Sequence, residues 1–354
     1  MGTPIFVVGT GRCGSTLLSN LIREHQWVAS ISEFYSLASD LGARFPELFP
    51  AHPITGQELW QLIGIGYPRS NLMIRHDVAM PEVIYPYRSG GARFNRETGV
   101  PVVLQATLPH LSDQFDSLYD ELGEFVRSLP LAPVRVQYDA LFTWLQDRHG
   151  RKVWIERSGG IFNIMQQIYD TFPEGKYVHI VRDGRNTALS MNVHRGFRMF
   201  VLGQFLTDCL GVDPYYSDDR TRLNRIPRQY RAFLPENFEA EAFDRFRFPL
   251  SMMGRLWSGQ ILRGLEVLDK VPAERLLTIR YEDLVDQPRA ELTRLAEFLG
   301  EGFVLQDWLD RCTPLVRQAG SQWEGLPEKE QVSLLNACQS GFDALTQRGI
   351  SYGV

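Results

Sequence analysis

The stretch Ile5-Phe6-Val7-Val8-Gly9-Thr10-Gly11-Arg12-Cys13-Gly14-Ser15-Thr16 constrains the fold more than any other part of the chain. Four consecutive apolar residues read as a short strand buried on both faces, and a glycine ends them. Leu17, Leu18, Leu21 and Ile22 then recur at helical spacing, which predicts a helix over Thr16 to His25. Strand, glycine-rich turn and helix together form the building unit of an open α/β sheet, and the helix start offers N–H groups and the positive end of a dipole to an anion.

The same alternation returns later. Trp27–Ile31, Lys152–Glu156, Tyr177–Val181 and Leu276–Ile279 read as further strands. Helices are expected near 112–128, 136–148, 161–172, 186–194, 257–268, 288–299 and 328–347. Strands alternating with helical segments predict a parallel sheet. Two stretches interrupt the pattern. Residues 67–101 carry Pro68, Pro81, Pro86, Gly90, Gly91, Gly99 and Pro101 and are expected to be irregular. Residues 212–250 are rich in Tyr, Arg, Asp and Pro without a period and read as a second insertion, a lid or acceptor-binding segment. The expectation is one domain over 1–354, a parallel sheet of phosphate-loop type flanked by helices, with irregular insertions on the acceptor side.

Composition excludes several classes. The chain of 354 residues carries 42 acidic and 37 basic side chains, a formal charge of −5 with no basic run, which argues against broad binding of a nucleic-acid backbone. No apolar run approaches the ~20 residues of a membrane span, and neither a basic leader region nor a cleavage site precedes Ile5, so a cytoplasmic protein is expected. Cys13, Cys209, Cys312 and Cys338 are widely spaced and form no CxxC pair, which signals neither a disulfide framework nor a zinc site.

The glycine turn fits more than one ligand. As G-x-G-x-x-G it matches the dinucleotide fingerprint, with Glu33 placed 19 residues after Gly14 as a ribose ligand for NAD(P). It also matches the nucleotide phosphate loop except that Ser15 stands in the lysine position. A third reading is a cradle for a smaller phosphate group, and a fourth is a turn whose glycines serve only helix packing. Arg12, Ser15 and Thr16 gather a cation and two hydroxyls in the turn, which suits a highly charged group gripped by side chains. A dinucleotide pyrophosphate is met mostly by bare backbone. Without the lysine a nucleoside triphosphatase would lack its β/γ-phosphate cation.

A second motif, Val181-Arg182-Asp183-Gly184-Arg185 with Ser190 eight residues after Arg182, closes a later strand. An arginine at a strand's carboxyl end and a serine two turns along the next helix make a second anion pocket, and two such pockets suit a ligand phosphorylated at both ends. The plainer alternative is an ion pair of Arg182 with Asp183 or Glu156.

These residues resemble the sulfotransferases that use 3′-phosphoadenosine 5′-phosphosulfate (PAPS), in the style of the Golgi, tyrosylprotein-type and bacterial members. Gly9-Thr10-Gly11-Arg12-Cys13-Gly14-Ser15-Thr16 is similar to the family's 5′-phosphosulfate loop, and Arg182-Asp183-Gly184-Arg185 with Ser190 to its 3′-phosphate motif. Trp154-Ile155-Glu156-Arg157, Arg280-Tyr281-Glu282-Asp283-Leu284 and Gly320-Ser321-Gln322-Trp323 are weaker echoes, in the expected order. The acceptor regions 34–150 and 196–250 match no family pattern.

The resemblance implies a sulfuryl transfer from PAPS to a hydroxyl of a small molecule, glycan or lipid, leaving 3′,5′-adenosine bisphosphate (PAP) and needing no metal. It implies donor contacts from Gly11, Arg12, Cys13, Gly14, Ser15, Thr16, Arg182, Ser190, Gln322 and Trp323, with Arg12 at the bridging oxygen. In the tyrosylprotein branch a glutamate base stands 21 residues after the loop arginine, which falls on Glu33 here. Cytosolic members use a histidine instead, for which His76 and His110 are candidates against the reading of ordinary surface histidines. Arg157 stands where the family has a lysine and would stabilise charge without acting as a proton donor. A hydroxyl-bearing acceptor and a homodimer are the expected partners, with no nucleic acid and no membrane span. An NAD(P)-binding oxidoreductase and a non-catalytic nucleotide-binding module stay open as alternatives.

Overall fold

The structure is a computed structural model that describes residues 2–317 and 322–353. The chain divides into two compact units, one formed by 1–33, 135–191 and 249–354, the other by 34–134 and 192–248.

The first unit holds a five-stranded sheet of β1 (Ile5–Val8), β2 (Val28–Ser32), β3 (Val153–Arg157), β4 (Lys176–Val181) and β5 (Leu276–Arg280), in the spatial order β2-β3-β1-β4-β5. Every pairing is parallel, with Ile5 opposite Ile155 and Lys176, Ser32 opposite Arg157 and Val181 opposite Arg280. β1 is buried throughout, as its unbroken apolar run requires of a central strand covered on both faces. The expected strands are all present, within a residue or two of their expected ends.

Alternation along the strands fills two cores. Ile5, Val7, Val178 and Ile180 pack with Leu18, Leu21, Leu292, Leu295 and Trp308 on one face. Phe6 meets Trp154, Phe172 and Tyr177 on the other. The helices Leu250–Leu268 and Glu328–Thr346 pack closely: a Cβ on Gly341 would fall onto the Trp257 ring, and Trp257 lies 5.0 Å from Phe342.

The second unit is helical, with helices Gly56–Ile63, Pro68–Arg75, Phe115–Ser128 and Arg195–Leu210. Thr55 and Glu58 form a capping box at the first of these. Residues 67–101 are not irregular throughout, because Pro68 occupies the first helical position, where the missing N–H costs nothing, and starts a helix. Residues 212–250 form 3₁₀ turns at Leu223–Arg225, Arg228–Phe233 and Pro235–Asn237 and one short helix, Ala240–Arg245, in keeping with their lack of a period.

Candidate active site

The site is built at the carboxyl ends of the strands of the first unit. After β1 the chain turns through three left-handed residues, Gly11 (φ 71°), Arg12 (φ 55°) and Gly14 (φ 97°). For Arg12 this conformation costs about 1–3 kcal/mol and persists only where its surroundings enforce it. Gly14 is the N-cap of helix Ser15–Arg23 and has no side chain with which to cap it. Ser15 is buried, and Arg12 and Thr16 are partly exposed. Cys13 is fully buried among the core residues beneath the sheet, and burial pushes its thiol up from the ordinary value. It can offer a ligand only its backbone.

The second motif divides its labour. Asp183 accepts the backbone N–H groups of Arg185 (2.8 Å) and Asn186 (3.3 Å), so it caps the helix Gly184–Val193, and it also holds the Arg185 guanidinium (Nε to Oδ2 3.1 Å). Of the two alternative partners read for Arg182, Asp183 is thereby taken by Arg185. Arg182 makes no ion pair among the described residues; its guanidinium lies 4.6 Å from the centre of the Tyr281 ring. Arg12 Nε donates to the Ser190 hydroxyl at 3.2 Å. A bond across 178 residues of sequence thus joins the glycine turn to the second motif.

The tip of Gly320-Ser321-Gln322-Trp323 lies partly outside the described residues, which include Gln322 and Trp323 but not Gly320 and Ser321. Asn186 Oδ1 accepts the backbone N–H groups of Gln322 (3.0 Å) and Trp323 (3.4 Å), and the Trp323 ring covers the Arg185 guanidinium at 4.0 Å. Gln322 and Trp323 are therefore brought to the start of the helix that carries Ser190.

Glu33 follows β2 in a left-handed conformation (φ 56°), and its N–H continues the sheet ladder to the Arg157 carbonyl at 2.7 Å. Its carboxylate forms an ion pair with Arg157, both side chains being about 95% buried or more (5% and 3% exposed). The second carboxylate oxygen accepts the Gly159 N–H at 2.9 Å, and Arg157 Nη2 donates to Ser32 Oγ at 2.7 Å. Sequence reading gave Glu33 and Arg157 separate roles; the structure makes them one pair. Glu156, one residue earlier, is buried and accepts the Ser158 hydroxyl at 2.6 Å.

The two candidate histidines belong to the second unit. His76 ends the helix Pro68–Arg75 and packs on Phe238 with ring centres 5.0 Å apart, and burial lowers its pKa. His110 is buried in the short helix Thr107–Leu111. The expectation of a surface histidine does not describe it. Among the described residues no cluster of three or more His, Cys, Asp or Glu could hold a metal ion, and no helix is long and apolar enough to cross a membrane. All four cysteines are free.

Sequence reasoning passed over Tyr281, Ser32 and Gly159. Tyr281 had a signal, since it lies in the phrase Arg280–Leu284, but nothing local shows that it meets Gly14 and Arg182. A Cβ on Gly14 would fall into the Tyr281 ring.

Residues 237–304 match the model of the sulfotransferase family. That segment includes β5 and Arg280-Tyr281-Glu282-Asp283-Leu284 and excludes the glycine turn. It supports the resemblance read from the motifs. No curated protein matches the chain. Among solved structures, the sulfotransferase domain of the Synechococcus PCC 7002 olefin synthase is 17% identical, with 99% of this chain and 96% of that one covered and a TM-score of 0.45. The sulfotransferase domain of the curacin biosynthetic pathway is 14% identical, with 100% and 99% covered and a TM-score of 0.48. A sulfotransferase from Alicyclobacillus acidocaldarius is 14% identical, with 98% and 96% covered and a TM-score of 0.41. At these values the likenesses carry no residue roles to this chain.

Proposed function

We propose that this protein is a cytoplasmic, PAPS-dependent sulfotransferase that moves a sulfuryl group to a hydroxyl of a small molecule, glycan or lipid. The observation that carries this reading is the Arg12–Ser190 hydrogen bond, because it joins a phosphate-type glycine turn to a second anion motif on the same sheet edge. A ligand with phosphates at both ends explains both motifs; a dinucleotide or a plain nucleotide leaves Arg182 and Ser190 without a role.

The residues fit such a donor. Three left-handed residues lie in the turn, the helix start has a glycine N-cap with no side chain, and Arg12, Arg182 and Ser190 are partly exposed beside them, an arrangement suited to an anion. In this reading Gly11, Cys13 and Gly14 contribute backbone, Ser15 and Thr16 hydroxyls and N–H groups to the 5′ end, and Arg182 with Ser190 holds the 3′-phosphate. Gln322 and Trp323 close the nucleotide end. The donor supplies a sulfuryl group on a phosphate leaving group, and positioning and charge stabilisation then account for most of the acceleration. Arg12 neutralises the charge that grows on the leaving side; removing a donor of this kind typically lowers the rate by ~10²–10³.

Glu33 takes the proton of the acceptor hydroxyl on one carboxylate oxygen. Arg157 stays charged, holds that carboxylate in place and adds positive potential where the sulfonate oxygens pass. Its fixed charge and its partner exclude it as an acid. No divalent ion takes part, so turnover in excess chelator equals turnover without it; activity lost to chelator and restored by Mg²⁺ points to phosphoryl transfer instead.

The test is a mass-spectrometric search of cell extract, supplied with PAPS and purified protein, for a metabolite that gains SO₃. A product that forms with the wild type and not with Glu33→Gln supports the reading. No product, together with a melting temperature raised by NADP⁺ and not by PAP, favours the dinucleotide alternative, since a ligand that prefers the folded state stabilises it.

A further inference from the structure

We propose that Tyr281 is a positioning residue that aims Arg182 at the 3′-phosphate and ties that end of the site to the glycine turn. The inference rests on the reading of Arg182 as the 3′-phosphate ligand. Its starting point is register: Val181 of β4 lies opposite Arg280 of β5, so the next residues, Arg182 and Tyr281, leave the sheet side by side. Tyr281 opens the helix Tyr281–Asp286 and is 9% exposed.

Its ring has two neighbours in the site. One face carries the Arg182 guanidinium at 4.6 Å, and the ring also fills the space into which a Cβ of Gly14 would project. Gly14 is therefore glycine for two reasons: its φ of 97° and the ring beside it. The following residue completes the arrangement. Glu282 Oε1 accepts the Asp183 N–H at 3.0 Å and so fixes the backbone just past Arg182.

An aromatic face suits this task better than a carboxylate would. A carboxylate partner would occupy the guanidinium donors and oppose an incoming dianion, as Asp183 occupies those of Arg185. The ring quadrupole holds the cation through its face, restricts a flexible side chain before the ligand arrives and leaves the N–H donors in the guanidinium plane for phosphate oxygens. The hydroxyl of Tyr281 has no part in this, so phenylalanine should serve equally well.

Calorimetric titration of the full chain with PAP and with AMP tests the proposal without any acceptor. For Tyr281→Leu the PAP affinity should fall roughly 5- to 30-fold, the value of a desolvated cation–π contact, while AMP affinity changes far less. Tyr281→Phe should match the wild type for both ligands. Tyr281→Met provides the same comparison should the leucine variant fail to fold. A PAP-to-AMP ratio unchanged in the leucine or methionine variant overturns the positioning role, as does a loss in Tyr281→Phe equal to that in Tyr281→Leu. If the wild type shows no preference for PAP and Arg182→Ala changes nothing, the 3′-phosphate site itself is refuted, and the role of Tyr281 with it.

Discussion

Two buried arginine–carboxylate groups invite comparison, one in each unit. In the sheet unit Arg157 pairs with Glu33, and each has one further partner, Ser32 and the Gly159 N–H. In the helical unit Arg69 donates to Asp213 at 2.6 Å, and its own N–H and that of Ser70 donate to Asp40 at 2.8 Å each. Tyr216 adds a hydroxyl donor to Asp40 at 2.6 Å, and burial pushes the Asp40 carboxyl up from its ordinary value. The chemistry is alike and the placement is not. Asp40 takes N–H groups at the start of the helix Pro68–Arg75 from 29 and 30 residues away, and Arg69 fills the space beside Gly203, so that cluster holds loops and helices together. Glu33 and Arg157 lie at the carboxyl ends of β2 and β3, the edge of a parallel sheet where ligands are met. Burial of a charged pair does not mark a site by itself; the role proposed for Glu33 and Arg157 rests on their place at that edge, in the unit that carries the glycine turn.

The comparison breaks first on Glu33→Gln. Turnover should fall by ~10²–10⁴, the contribution of a positioned general base, with PAP affinity by calorimetry close to the wild type. Full activity in this variant, with His76→Ala or His110→Ala inactive, moves the base to that histidine and makes Glu33–Arg157 as structural as its counterpart.

Asp213→Ala addresses the other cluster. It leaves the Arg69 charge buried without its partner, which costs about 3–5 kcal/mol of stability in denaturant titration. PAP affinity of the folded fraction should stay as in the wild type. A specific loss of PAP binding without destabilisation contradicts the division drawn between the two clusters.

A smaller effect belongs to His179, on β4. Burial lowers its pKa from 6.5 to about 4, so the folded protein keeps it neutral while the unfolded chain takes up a proton below about pH 6.5. Stability contributed by the neutral ring is therefore fully present above pH 6.5 and is lost on acidification, reaching on the order of 3 kcal/mol near pH 4. Denaturant midpoints of wild type and His179→Asn between pH 4 and 7 check this; parallel pH dependence in the two proteins contradicts it.

The sheet was legible in the sequence because each strand is a short apolar run bounded by turn signals, and the glycine turn because its left-handed positions need glycine at Gly11 and Gly14. The helix Arg195–Leu210 was not. It buries residues around much of its circumference, including Arg198 between carbonyls of Phe243, Asp244 and Phe246, so no polar face sets a period. The helix Pro68–Arg75 was hidden because its cap is the distant Asp40. The same limit applies at the site. Arg12, Arg182 and Ser190 announce themselves by motif, whereas the Glu33–Arg157 pair and the Tyr281 plate exist only once strand register has set distant residues side by side.

The account stands most directly on calorimetric titration of wild type and Arg182→Ala with PAP and AMP. Wild type should bind PAP far more tightly than AMP. Removal of the arginine should lower PAP affinity by ~10- to 150-fold, the value of charge-assisted hydrogen bonds to one phosphate, and leave AMP affinity nearly unchanged. An identical PAP-to-AMP ratio in the two proteins would contradict the claim that this sheet edge holds a nucleotide phosphorylated at both ends.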